Sequence, residues 1–272
     1  MLPDKIVTTV KDKPGLAQTG EKLARELGCP FVARQGRSLQ ILEREYGHTV
    51  TVVVGERRLS AWVAGQEFFF HPSMALLRLM NFLKGEKDRM ADTLGLQDGM
   101  SVLDCTLGFG TDALVSAFLV GRDGKVVGLE ASPVVASLVR HGLENYRAKL
   151  HPGLDPEKAR VLGGLSQAMA RIQVLNTHHR DFLAQTADKS FDLVYFDPMF
   201  RSPRQESASM APLRGLALPD PVDKGAVREA CRVARRRVVL KESRYSQEFE
   251  RLGLRMAPGG KYSEVAYGVI EV

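Results

Sequence analysis

Between Ser101 and Asp112 the chain reads SVLDCTLGFGTD. Ser101–Cys105 is a short apolar strand with Val102 and Leu103 inside it and Asp104 at its end. A turn carrying Gly108 and Gly110 follows, and an apolar helical run extends from Ala113 to Val120. Strand, glycine turn and helix start, in that order, form a site for a nucleotide-like ligand. Glycine lets the backbone come close to the ligand, and the first helical N–H groups have no partner within the helix.

Beyond this stretch, strands and helices alternate. Lys125–Glu130 reads as a strand, Pro133–Tyr146 and Pro156–Ala170 as helices, and Ile172–Leu175 as a strand. His178 and His179 read as loop residues without metal-ligand spacing. Phe191–Phe196 is a buried strand that runs into Asp197-Pro198-Met199-Phe200. Arg201–Pro221 reads as a long loop, Val222–Arg235 as a helix, and Arg237–Lys241 as a strand. The tail, about Leu254–Val272, reads as two strands around Gly259-Gly260. Such alternation predicts an α/β fold with a parallel sheet covered on both faces.

Residues 1–66 read as a small N-terminal α/β unit. Its expected strands are Lys5–Val10, Pro30–Ala33, Thr49–Val54 and Leu59–Val63. Its expected helices are Leu16–Leu27 and Ser38–Tyr46, the second capped by Ser38. Arg34, Arg37, Arg57 and Arg58 are read as a solvated face in preference to an RNA surface. The remainder, 67–272, is expected to be a second, larger domain that holds the glycine turn, with a helical lead-in over 67–96. In that lead-in three phenylalanines of FFFHPSM are expected to be buried. Leu76, Leu77, Met80 and Leu83 are expected to form the apolar side of a helix over Met74–Leu83. His71 is read as a connector histidine.

The 272 residues suit one large or two smaller domains, and a net charge of +6 is mildly basic, as for a protein that meets an anion such as RNA. Three scattered cysteines, Cys29, Cys105 and Cys231, form no metal-binding pair and argue for reduced thiols, with Cys105 a buried strand residue. The N-terminus lacks the apolar core of a signal peptide. No apolar run reaches the roughly 18 residues needed to cross a bilayer. A cytoplasmic protein without metal or membrane partner is expected.

Gly108, Gly110 and Ala113 satisfy the G-x-G-x-x-G/A pattern, and Glu130 lies 20 residues beyond Gly110. That combination suits a dinucleotide as well as S-adenosylmethionine, because both present a ribose to the acidic residue. Asp104 separates them: a carboxylate before the glycines repels a pyrophosphate and suits an ammonium. Asp197–Phe200 then lies beside the switch point of the sheet, where substrates bind.

LDCTLGFGTDA, LEASPVV and VYFDPMF resemble the class I S-adenosylmethionine-dependent methyltransferases, and together most resemble the RsmJ-type family of 16S ribosomal RNA guanine-N2 methyltransferases. The resemblance covers roughly Phe70–Lys241. It implies a Rossmann-like, mostly parallel seven-stranded sheet that ends in an antiparallel hairpin. It also implies S-adenosylmethionine as cofactor and RNA, 16S rRNA or the small ribosomal subunit, as partner. Thr106, Thr111 and Asp112 would line the cofactor's methionine end with Asp104, Gly108 and Gly110. Glu130 would hold both ribose hydroxyls, Ala131 would lie along the adenine, and Arg180 and Asp181 would hold the adenine amine. Asp181 has the alternative reading of a helix N-cap. The resemblance carries over to Asp197-Pro198-Met199-Phe200 the Asp/Asn-Pro-Pro-Phe/Tyr motif of enzymes that methylate exocyclic amines, with Met199 in place of the second proline.

An exocyclic amine is a poor nucleophile because its lone pair is delocalised into the ring. The Asp197 side chain and the Pro198 carbonyl are expected to accept its N–H groups and aim the lone pair at the methyl, while Phe200 stacks on the base. Asp197 also belongs to the expected cofactor edge. Arg201, Arg204 and Arg214 in the loop are the expected phosphate contacts. Arg232, Arg235, Arg236 and Arg237 are read either as RNA contacts or as a cluster at a helix C-terminus. Three other readings stay open: a methyltransferase acting on protein or a small molecule, an NAD-dependent oxidoreductase, and a non-catalytic RNA-binding module.

Overall fold

The computed structural model describes residues 4–148, 153–199, 216, 221–259 and 263–272. In chain order, the elements begin with β1 (Lys5–Thr9), α1 (Pro14–Leu27), α2 (Leu39–Tyr46), β2 (Val50–Val54), β3 (Leu59–Val63) and β4 (Gln66–Phe69). They continue with α3 (Ser73–Leu83), α4 (Arg89–Leu94), β5 (Ser101–Asp104), α5 (Thr111–Leu119), β6 (Lys125–Glu130), α6 (Pro133–Asn145) and α7 (Pro156–Met169). The last are β7 (Ile172–Asn176), α8 (His179–Gln185), β8 (Phe191–Phe196), α9 (Lys224–Val233), β9 (Ala234–Ser243), α10 (Glu248–Leu252), β10 (Arg255–Met256) and β11 (Val265–Glu271). Residues 4–71 and Ser132–Tyr146 form one compact unit, and the remaining described residues form mainly a second. Among the described residues no helix is long and apolar enough to cross a membrane.

The first unit holds a four-stranded sheet in the order β1-β2-β3-β4. β1 and β2 run parallel and the other pairs antiparallel. A parallel pair needs a long crossover, supplied here by α1 and α2. Ser38 caps α2, its Oγ accepting from the Ile41 N–H at 3.2 Å. Ile6, Val32 and Leu42 are buried together, with Tyr46 against them.

Two expectations for this region change. Pro30–Ala33 does not form a strand; it gives a single parallel bridge, Val7 to Phe31. Pro30 has no N–H, so this edge is held mainly by Val7 N–H on the Pro30 carbonyl and Val32 N–H on the Val7 carbonyl. Gln66–Phe69 is a strand rather than the opening of a helical connector, because it pairs with β3. Of the three phenylalanines only Phe70 is buried; Phe68 and Phe69 are half-buried, and the Arg58 guanidinium lies over the Phe69 ring.

The second unit carries a seven-stranded sheet ordered β10-β11-β9-β8-β5-β6-β7. β7, β6, β5, β8 and β9 are parallel to their neighbours, and β11 runs antiparallel between β9 and β10. This is the expected mostly parallel sheet with an antiparallel C-terminal hairpin. The central strands are apolar because helices cover both faces. At their base, Asp192 accepts from both the N–H and the hydroxyl of Ser101, at 2.8 and 2.7 Å, which locks β8 to β5.

α3 turns a different face inward than its leucines suggest. Ala75 and Leu79 are buried, whereas Leu77 is 53% exposed. Arg78 is directed to Asp112 and Asp88, and that inward stripe rotates Leu77 out. His178 and His179 are not in a loop: His178 caps α8, and His179 is its buried first residue. α9 ends at Val233, so Arg235, Arg236 and Arg237 lie on β9, not at a helix C-terminus. These arginines face carboxylates of the chain: Arg235 and Arg236 approach Asp192, Arg237 pairs with Glu271, and Arg232 pairs with Asp188 and Glu229. α10 was not anticipated.

Candidate active site

The chain reverses direction of sheet growth at β5, which pairs with β6 on one side and β8 on the other. The C-terminal ends of β5 and β8 therefore flank a switch-point crevice. Gly108 and Gly110 adopt φ of +51° and +77°, a left-handed conformation that favours glycine. A Cβ on Gly108 would meet nothing nearer than the Thr106 carbonyl at 4.0 Å, so the turn has open space beside it. Gly108 N–H donates to Glu130 Oε2 at 3.0 Å, which fixes the turn against the end of β6. Asn176 Nδ2 donates to the Glu130 and Ala131 carbonyls and holds that strand end from β7. Gly128 on β6 gives room to Leu107: a Cβ there would sit 2.6 Å from the leucine side chain.

Asp104 is buried at 2% exposure and accepts from the Thr106 N–H at 3.0 Å. Burial pushes its carboxyl well above the ordinary aspartate range, and the carboxylates of Asp112, Asp197 and Glu130 push the same way. Burial also raises the Cys105 thiol, which is buried as expected but lies just past the end of β5 rather than in the strand.

Asp112, in the first turn of α5, is the hub of a buried charge network. Its Oδ1 pairs with Arg78, and its Oδ2 accepts from the Tyr195 hydroxyl at 2.8 Å and from Lys241 at 3.3 Å. Arg78 in turn grips Asp88, which caps α4. Lys241 Nζ lies 2.6 Å from Asp197 Oδ2. The two aspartates share Lys241 yet titrate in opposite directions. Burial raises both, but Lys241, Arg78 and Tyr195 together hold Asp112 below the ordinary range. Among the described residues Lys241 is what opposes burial and the Asp112 carboxylate at Asp197, which is pushed up to about 6. Lys241 itself is raised above the ordinary lysine value, since the two carboxylates outweigh its burial, so it is a cation and not a base.

Of the residues singled out in the sequence, the fold gathers Asp104, Thr106, Gly108, Gly110, Thr111, Asp112 and Glu130 around the turn, with Ala131 directly after β6. Asp197 joins them through its N–H, which donates to Thr106 Oγ1 at 2.5 Å. Pro198 and Met199 line a small surface cleft with Leu240 and Glu242. Arg180 reaches Asp223 at 3.2 Å and the Pro221 carbonyl. Asp181 lies exposed in the first turn of α8, whose cap is His178. Phe200, Arg201, Arg204 and Arg214 lie outside the described residues. Arg78, Tyr195 and Lys241 were missed. A lysine directly after the apolar run Val238–Leu240, in the strand that follows the one leading into Asp197, was the available signal.

The chain matches the family model described as "Putative SAM-dependent methyltransferase" over residues 69–263. It belongs to the SAM-dependent methyltransferases. The dinucleotide reading of the glycine turn falls with that match. An uncharacterized protein of Bacillus subtilis strain 168, YpiP, is 38% identical over 267 residues, covering 98% of each chain. The ribosomal RNA small subunit methyltransferase J of Nitrosococcus oceani is 30% identical over 240 residues, covering 81% of this chain and 83% of the relative. A SAM-dependent methyltransferase of Neisseria gonorrhoeae shares the fold, with a TM-score of 0.59 at 19% identity over 98% of this chain and 95% of that one. S-adenosylmethionine is therefore the cofactor of this methyltransferase. The donor set fits it chemically: Asp104 is a buried carboxylate suited to an ammonium, Glu130 a carboxylate suited to a diol, and Gly108 leaves the backbone open beside them.

Proposed function

We propose that this methyltransferase methylates an exocyclic amine of a nucleic-acid base, guanine N2 of small-subunit ribosomal RNA. The observation that carries this reading is the end of β8. There Asp197 and Pro198 follow a buried strand directly, and Thr106 ties the Asp197 N–H to the glycine turn at 2.5 Å. Acceptors for an amine thus stand next to the proposed cofactor turn. The relatives named ribosomal RNA small subunit methyltransferase J support the choice of substrate.

Bound S-adenosylmethionine supplies a methyl group already activated on a positively charged sulfur. The chain's own residues do the rest. Asp104 neutralises the ammonium end, and Glu130 accepts from the ribose hydroxyls. Asp197 Oδ1 and the Pro198 carbonyl accept the two N–H groups of the amine, which directs the nitrogen lone pair at the methyl. Ala131 borders the adenine, and Thr111 and Asp112 frame the methionine end. Phe200 stacks on the base, which must be unpaired or flipped to enter, and Arg201, Arg204 and Arg214 hold phosphates.

Nucleoside mass spectrometry of 16S rRNA from a deletion strain tests the reading. One N2-methylguanosine is expected to disappear, to return with the wild-type gene, and not to return with Asp197→Ala. An unchanged rRNA profile overturns it. Transfer of labelled methyl to a protein or small-molecule fraction would mark the alternative methyltransferase reading as the right one.

A further inference from the structure

Lys241 has no role in the methyl-transfer chemistry described above, yet its ammonium is partly buried between two carboxylates of the site. It lies 2.6 Å from Asp197 Oδ2 and 3.3 Å from Asp112 Oδ2. We propose that Lys241 is a positioning residue that holds Asp197 as an ionised acceptor for the incoming amine. The inference rests on the exocyclic-amine reading of the Asp197 site.

The surroundings of Asp197 explain the need for a cation. Asp112 faces it from α5, Asp104 from β5, Tyr195 from β8, and Tyr267 from β11, while Arg78 on α3 is committed to Asp112 and Asp88. Among the described residues, the titratable groups that act on Asp197 besides Lys241 are carboxyls and phenols. Burial beside like charges favours the neutral acid. A neutral Asp197 carries a proton that competes with the amine's own N–H and has no charge to orient it.

Lys241 engages only Oδ2. The substrate amine would use the other oxygen, Oδ1. When the nitrogen lone pair forms the new N–C bond, the S–C bonding pair returns to sulfur. The nitrogen then carries an extra positive charge and must release one proton. Asp197, ionised and beside it, accepts that proton and passes it to water; Lys241 stays protonated throughout. A raised Asp197 suits this step, since near neutrality it is ionised yet basic enough to take a proton.

Two readouts test the proposal. The first needs no substrate: the infrared carboxyl band that disappears in Asp197→Asn is followed against pH. In the wild type it is expected to titrate near 6. In Lys241→Gln the midpoint is expected to rise by about 1–3 pH units, the span an adjacent opposite charge supplies, and in Lys241→Arg to stay near the wild-type value. The second is the pH profile of labelled-methyl transfer to small ribosomal subunits from the deletion strain, whose acid limb moves up with the midpoint in Lys241→Gln. An unmoved midpoint in folded Lys241→Gln overturns the proposal. If that variant fails to fold, Lys241→Met, which keeps the length of the side chain without its charge, is read in its place, and an unmoved midpoint there overturns the proposal. A shifted midpoint with no methyl transfer by wild type to any RNA leaves the Lys241–Asp197 coupling standing and sinks the substrate reading.

Discussion

The backbone N–H of Asp197 donates to Thr106 Oγ1 across 91 residues of sequence, at 2.5 Å. This one bond joins the turn after β5 to the end of β8, the two places that the proposed reaction must align. Thr106→Val removes the acceptor with little change in shape. The expected result is a roughly tenfold fall in kcat, the rate equivalent of one ordinary hydrogen bond, with the KM for S-adenosylmethionine nearly unchanged. Steady-state kinetics with labelled methyl donor separate the two. A change in KM alone would show that the threonine serves the cofactor and not the alignment.

Gly128 sits in the middle of β6 for a reason of space. A Cβ there would lie 2.6 Å from Leu107 Cδ1, and Leu107 is buried at 4% exposure. Gly128→Ala is expected to cost about 1–3 kcal/mol by overpacking and to lower the unfolding midpoint in denaturant. Because Leu107 belongs to the glycine turn, affinity for S-adenosylhomocysteine should fall as well. Shortening the clashing side chain with Leu107→Ala should return part of the binding; no recovery in calorimetry would refute the steric cause.

At Asp104 the stability of the unliganded protein is set against the proposed binding of an ammonium. Burial raises its carboxyl in the folded state above the unfolded value. The folded state therefore binds more protons between those two values, and stability falls as pH rises through that window. Asp104→Asn removes the buried charge. Above that window the variant is expected to be as stable as the wild type or more so, while losing affinity for S-adenosylhomocysteine. A second consequence follows in the wild type. Within that window, an ammonium docking on Asp104 should release a proton, so the calorimetric heat should depend on the buffer's ionisation enthalpy. Equal heats in all buffers would show that Asp104 does not change protonation on binding.

The parallel core was legible because its signals are local. Lys125–Glu130 and Phe191–Phe196 are short buried runs bounded by polar punctuation, and the strands follow those limits residue for residue. The glycines at 108 and 110 announced a turn because few other residues adopt those backbone angles. Where a signal depended on a neighbour, the reading failed. The Gln66–Phe69 strand exists because β3 lies beside it. Leu77 points outward because Arg78, next to it, is drawn inward by acids 10 and 34 residues away.

By itself the sequence determined the glycine turn, the succession of central strands along the chain and the carboxylates that stand at their ends, since strand, glycine and helix signals are carried within a dozen residues. Only the tertiary structure decided how those carboxylates are charged. Lys241 reaches Asp112 across 129 residues and Asp197 across 44, and Arg78 closes the network from α3. Charge acts through space and burial sets its strength, so the direction in which each aspartate is shifted depends on the folded packing around it.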